Sequence, residues 1–119
     1  MDKICLINRS KDTILGETIE IAKSSGERNK GLLGRKGLGP GGGLWIMPTE
    51  AIHTFFMKFA IDLVFLDRKK RVTKVVPALK PFRMALNWRA YSVVELPAGV
   101  AEQTSTEAGD QIETRDAPL

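Results

Sequence analysis

Short apolar runs separated by turn residues set the pattern of this chain, and several carry the period of two that marks a half-buried strand. Lys3 to Arg9 reads as a first strand. After a turn at Asp12-Thr13, Ile14 to Ala22 forms a second, with Ile19 and Ile21 alternating with Thr18 and Glu20. The period then changes. Ser25 is placed to cap a short helix from Glu27 to Leu33, with Gly34 as its stop. Leu32 and Leu33 are its only apolar anchors. A glycine-rich loop over Gly37–Gly43 leads into a buried strand, Leu44 to Met47, ended by Pro48.

The second half repeats the strand pattern. Asp62 to Asp67 and Arg71 to Val76 flank a charged turn, Arg68-Lys69-Lys70, and predict a hairpin rich in β-branched and aromatic residues. Ala78 to Asn87 reads as a connection and Tyr91 to Leu96 as a further strand. Val100 to Thr104 gives one helical turn, and Gln111 to Arg115 a last strand. The expected fold is mainly β (β-rich α+β): a small barrel-like antiparallel or mixed sheet of about seven short strands with one or two short helices. With no repeat and no linker, residues 1–119 form a single domain.

Composition narrows this picture. A chain of 119 residues, 43% hydrophobic, buries roughly two thirds of its unfolded surface without a disulfide or metal staple. No apolar run approaches the roughly 18 residues that span a bilayer. The apolar core of Met1 to Arg9 is too short for a signal peptide, so the expected location is cytoplasmic. Cys5 is the single cysteine, expected as an inert, half-buried thiol. The net charge of +4 hides two opposed blocks. Arg68 to Val94 holds eight basic residues and no acid, whereas Glu95 to the end holds six acids against Arg115. The basic block fits an anionic partner if it shares one face; an acidic tail folded over it would cancel the charge.

Most candidate motifs fail on context. Gly37-x-Gly39-x-x-Gly42 matches a dinucleotide fingerprint in letters only, because Pro40 interrupts it and a strand follows where a helix N-terminus is needed. His53 is the lone histidine, too few with one cysteine for a structural zinc site. No metal and no cofactor are expected. Phe55, Phe56, Phe59 and Phe65 near Lys58 resemble a base-stacking platform, but most of these rings are expected in the core because they lead into a buried strand.

Three stretches then meet a known family. Glu27 to Arg35 (ERNKGLLGR), His53 to Asp67 (HTFFMKFAIDLVFLD) and Glu95 to Gly99 (ELPAG) followed by Gly109-Asp110 occur in the order and spacing of the small prokaryotic proteins called domain of unknown function 192. The chain resembles that family over about residues 5 to 114. Phe56 stands where many members carry Trp and Ala60 where others carry Pro, which leaves the apolar frame intact. The resemblance implies a compact β-rich, barrel-like domain without an established biochemical activity.

Five polar residues embedded in these stretches are the candidate ligand-binding set: Arg28, Arg35, His53, Asp62 and Glu95. Asp62 starts a buried strand and Glu95 lies near the end of another, so each carboxylate needs a partner, with an Arg or His the natural choice. The expected function is a non-enzymatic ligand-binding or accessory module for a small polar ligand. Two alternatives stay open. One is an enzyme acting on a small anionic or sugar-like substrate, with His53 and Asp62 or Glu95 as acid and base. The other is nucleic-acid binding through Arg68 to Arg89. No residue is singled out as catalytic, and neither nucleic acid nor a membrane is the expected partner.

Overall fold

Residues 1–119 are described by a computed structural model. Seven strands form one curled sheet, a half-barrel. The first hairpin is β1 (Lys3–Asn8) with β2 (Thr13–Ala22). The second is β5 (Ile61–Leu66) with β6 (Val72–Leu79), the pair expected on either side of the charged turn Arg68 to Lys70. The strands β3 (Gly42–Ile46) and β8 (Ser92–Pro97) join the two hairpins, β3 running parallel to β2 and antiparallel to β8. The last strand, β9 (Ile112–Asp116), lies antiparallel to β1 with Ile4 opposite Asp116. A bridge from Arg71 to Gln111 brings the far edges together. No helix is long and apolar enough to cross a membrane.

The helix α1 (Ser25–Lys30) starts earlier and stops earlier than its sequence predicts. Ser24, not Ser25, is the cap: its Oγ accepts the Glu27 N–H, and the Glu27 carboxylate takes the Ser24 N–H in return. The helix ends at Gly31, whose φ of 48° favours glycine. No residue of α1 is buried; Leu32, just past it, is the anchor. The region read as one connection, Ala78 to Asn87, holds the end of β6 and the short strand β7 (Met84–Leu86). This strand pairs with β4 (Ala51–His53) as a two-stranded ribbon outside the main sheet. The helical turn α2 (Val100–Gln103) follows β8.

The central sheet is buried on both faces. Alternate residues of the same strands feed two core clusters: Val64, Leu66, Val94, Leu96 and Trp45 on one side, and Leu63, Phe65, Val93, Leu44 and Ile46 on the other. All six residues of β5 are consequently buried, which is why Leu63 to Leu66 reads as a continuous apolar run. The aromatic stretch divides. Phe65 is fully buried and Phe59 half-buried, but Phe55 and Phe56 are exposed against expectation. Cys5 is buried, and its thiol is pushed up in pKa by that burial and by the nearby Glu17.

Two buried polar knots fasten the strands. Asp62 on β5 takes the Ala78 N–H on Oδ1 at 2.8 Å, and the Gly99 and Ala101 N–H groups on Oδ2 at 3.0 and 2.8 Å. Gly99 precedes α2 and has no side chain with which to cap it, so β5 supplies the cap across the sheet. Asp110 is the second knot. Burial pushes its carboxyl up, but bonds from Asn8, Lys11 and the Glu107 N–H outweigh this and hold it below the usual range.

Asp62→Ala would leave up to three N–H groups without an acceptor. At roughly 1 kcal/mol or more for each, urea unfolding of this variant should show a loss of about 3 kcal/mol. A loss of about 0.5 kcal/mol or less, the size of an ordinary surface change, would show that Asp62 does not fasten these segments.

Candidate functional site

Asp62 and Glu95 sit on adjacent strands and face opposite ways. In the β5–β8 register Asp62 lies opposite Leu96, while Glu95 lies opposite Leu63. Because side chains alternate along a strand, this offset of one residue puts Asp62 on the side of the first cluster and Glu95 on the side of the second. Asp62 therefore finds its partners among backbone amides, not the Arg or His that its sequence context suggests.

Glu95 has no such partners. It is 3% exposed, and its Oε1 is sealed from solvent without a hydrogen bond. Desolvation pushes the carboxyl up to about 8, with the Arg35 charge opposing the shift. Arg35 does not bond to it. Its Nη1 lies 2.7 Å from Glu20 Oε2 instead, within an ion pair at the sheet margin. The backbone at Glu95 is close to β3: a Cβ on Gly43 would stand 2.6 Å from the Glu95 carbonyl oxygen. Glycine is thus required where these strands cross.

Glu95 lines an open cavity of about 270 Å³. Arg28, Asn29 and Lys30 at the end of α1 form one polar wall, and Thr49 and His53 contribute from the ribbon side. Leu32, Leu33, Ile46, Ile52 and Met57 supply the apolar lining. Arg28 is held over its own helix, with Nη1 donating to the Lys23 carbonyl at 2.7 Å. His53 Nδ1 accepts the Phe55 N–H at 3.3 Å, and the two rings stack at 5.1 Å. In the neutral ring the proton then sits on Nε2, which has no protein partner. No three His, Cys, Asp or Glu side chains come together as a metal-binding group.

Of the five residues singled out from sequence, Arg28, His53 and Glu95 meet at this cavity, while Arg35 and Asp62 do not line it. Lys30, Thr49 and Met57 were missed. Lys30 and Met57 lie inside the motifs quoted for the family resemblance, so their position was a usable signal; nothing in the local pattern marks Thr49.

Known proteins resemble this chain in sequence or in fold along nearly its whole length. A UPF0127 protein of Pyrococcus horikoshii is 37% identical over 114 residues, spanning 90% of this chain and 96% of its own. Another, from Pyrococcus abyssi, is 36% identical over 115 residues, spanning 91% and 95%. A solved structure described as a putative transcription regulator from Sinorhizobium meliloti superposes with a TM-score of 0.82 over 95% of this chain and 92% of its own, at 19% identity. One of unknown function from Novosphingobium aromaticivorans gives 0.79 over 93% and 83%, at 21% identity. At such identities the structural likeness concerns the fold alone. The family profile covers residues 6–114, and the chain belongs to the family DUF192, Uncharacterized ACR.

Proposed function

We propose that this protein is a non-enzymatic binding module whose cavity takes a small polar ligand against Glu95. The observation that carries this reading is a carboxyl group buried beside open space without a hydrogen bond. An unsatisfied group of this kind costs roughly 1–3 kcal/mol or more, and a ligand able to donate to it or accept from it removes that cost on binding. Arg28, Lys30 and Thr49 offer further polar contacts, and the apolar wall supplies contact area. The lack of any bond between His53 and a carboxylate supports binding over acid–base chemistry. One observation favours the enzymatic alternative: a carboxyl titrating near 8 is protonated at neutral pH, as a general acid must be.

A thermal-shift screen with small carboxylic acids, amines and sugars tests the binding reading. A ligand at about 100 times its Kd adds about 2.7 kcal/mol, on the order of 10 °C in a domain this size. Glu95→Leu should abolish the shift while leaving the fold intact. Hits that bind this variant unchanged would remove Glu95 from the site. Turnover of any hit by the native chain, lost in Glu95→Gln and His53→Ala, would favour the enzyme instead.

The same carboxyl ties stability to pH. Glu95 is raised from 4.5 to about 8 on folding, so between these values the native state holds a proton that the unfolded chain has released. Its contribution is fully present below about 4.5 and lost as pH rises to about 8. Within that window the folding constant falls up to tenfold per pH unit, and then levels. Urea titrations compared between the native chain and Glu95→Gln should show this fall removed in the variant. Parallel profiles would mean that Glu95 ionises normally.

A further inference from the structure

The ribbon and its flanking loops carry apolar surface that the core does not use. Nine large hydrophobic side chains are exposed in the molecule, and six of them lie here: Phe55, Phe56, Phe82, Met84, Leu86 and Trp88. Met84 pairs with His53 and Leu86 with Ala51, so these four share the outer face. Ile52 and Ala85, between them, pack against the second core cluster.

Thr54, fully buried, fixes this display. Its N–H donates to the Arg83 carbonyl at 2.8 Å, its hydroxyl donates to the Lys80 carbonyl at 2.7 Å, and the same oxygen accepts the Arg83 N–H at 2.9 Å. Its carbonyl accepts the N–H groups of Met57 and Phe82. In the loops so tied, Phe56 and Phe82 hold φ of 65° and 61°, a region that bulky residues rarely adopt. Their rings meet edge to face at 5.5 Å, with Phe56 76% and Phe82 56% exposed. A strained, tightly bonded pair of loops thus turns two phenyl rings toward solvent.

Charge completes the surface. Lys58, Lys80 and Arg83 are exposed on these loops and Arg89 just past the other end of the ribbon, and none of them is in an ion pair. No acid occurs between Arg68 and Val94, and the acid that flanks the ribbon, Glu50, lies beside Asn87 at the end away from Phe56 and Phe82.

We propose that the β4–β7 ribbon docks on the surface of an anionic lipid bilayer, with Phe56, Phe82, Met84 and Leu86 entering the interfacial layer and the four cations at the headgroup phosphates. A mobile acyl layer receives projecting side chains without needing a matching shape, and none of these four lines a cavity of about 270, 690 or 540 Å³. Base stacking fits less well. The two phenyl rings cover each other in part, and Met84 and Leu86 present no π-face. Docking needs no spanning segment, so it is compatible with the absence of one.

Cosedimentation with vesicles tests this. The native chain should pellet with vesicles of equal phosphatidylglycerol and phosphatidylcholine in about 0.1 M salt, a Debye length near 10 Å, and not with phosphatidylcholine alone. Phe56→Ser with Phe82→Ser should lower affinity about tenfold, and Lys80→Glu with Arg83→Glu should lower it at least as far. The phenyl rings are exposed, so a melting curve close to native is expected and would separate lost docking from lost folding. Absence of pelleting with the anionic vesicles overturns the proposal. Pelleting unchanged by the serine pair also overturns it, because charge alone would then explain attachment. Binding of single-stranded oligonucleotides that the serine pair removes, without vesicle binding, would assign the surface to nucleic acid instead.

Discussion

Strand β5 has no residue facing solvent, and its neighbour β8 is buried for all but its last position. Every polar group placed on these two strands must find a partner inside the protein or remain without one. Asp62 resolves the demand by gathering three backbone amides, one from the end of β6 and two from the segment that follows β8. Glu95, on the opposite face, meets a cavity where no protein donor reaches it. Two carboxylates under one constraint therefore take different parts. One holds the sheet together, and the other leaves an unmet interaction at a site open to small molecules.

Much of the sheet could be read from the chain because its hairpins are local. The strands flanking Asp12-Thr13 and Arg68 to Lys70 pair across short turns, so alternation and turn chemistry fix them together. The ribbon could not be read this way. Its strands have three residues each and lie more than thirty positions apart, too short for a period and too distant for a turn signal. Phe55 and Phe56 were misplaced for the same reason: nearness to a buried strand said nothing about loops projecting from a ribbon that had not been recognised. The candidate site was legible in part. Its residues lie within recognisable motifs, but which carboxylate faces the cavity depends on a register offset of one, set by strands remote in sequence. Arg35 failed for a related reason, since Glu20 reaches it from β2 and satisfies its charge.

The opposed charge blocks also resolve in three dimensions. No ion pair joins the acidic end to the basic middle, although backbone bonds tie Asp110 to Val72 and Ile112 to Lys70. Asp110 and Glu107 turn to Lys11, and β9 takes its place beside β1. The eight basic residues from Arg68 to Arg89 are left without ion pairs, apart from Arg68 lying 4.3 Å over the Tyr91 ring.

The antiparallel pairing of β1 with β9 sets Ile4 beside Asp116. The polypeptide comes into the sheet and leaves it at one corner, on neighbouring strands. A short peptide joining these points would permit the backbone to be cut elsewhere, for instance in the turn at Arg68 to Lys70, without changing the order of strands in space. The fold also suits insertion as a unit into a surface loop of another protein, because host segments can meet where they join it.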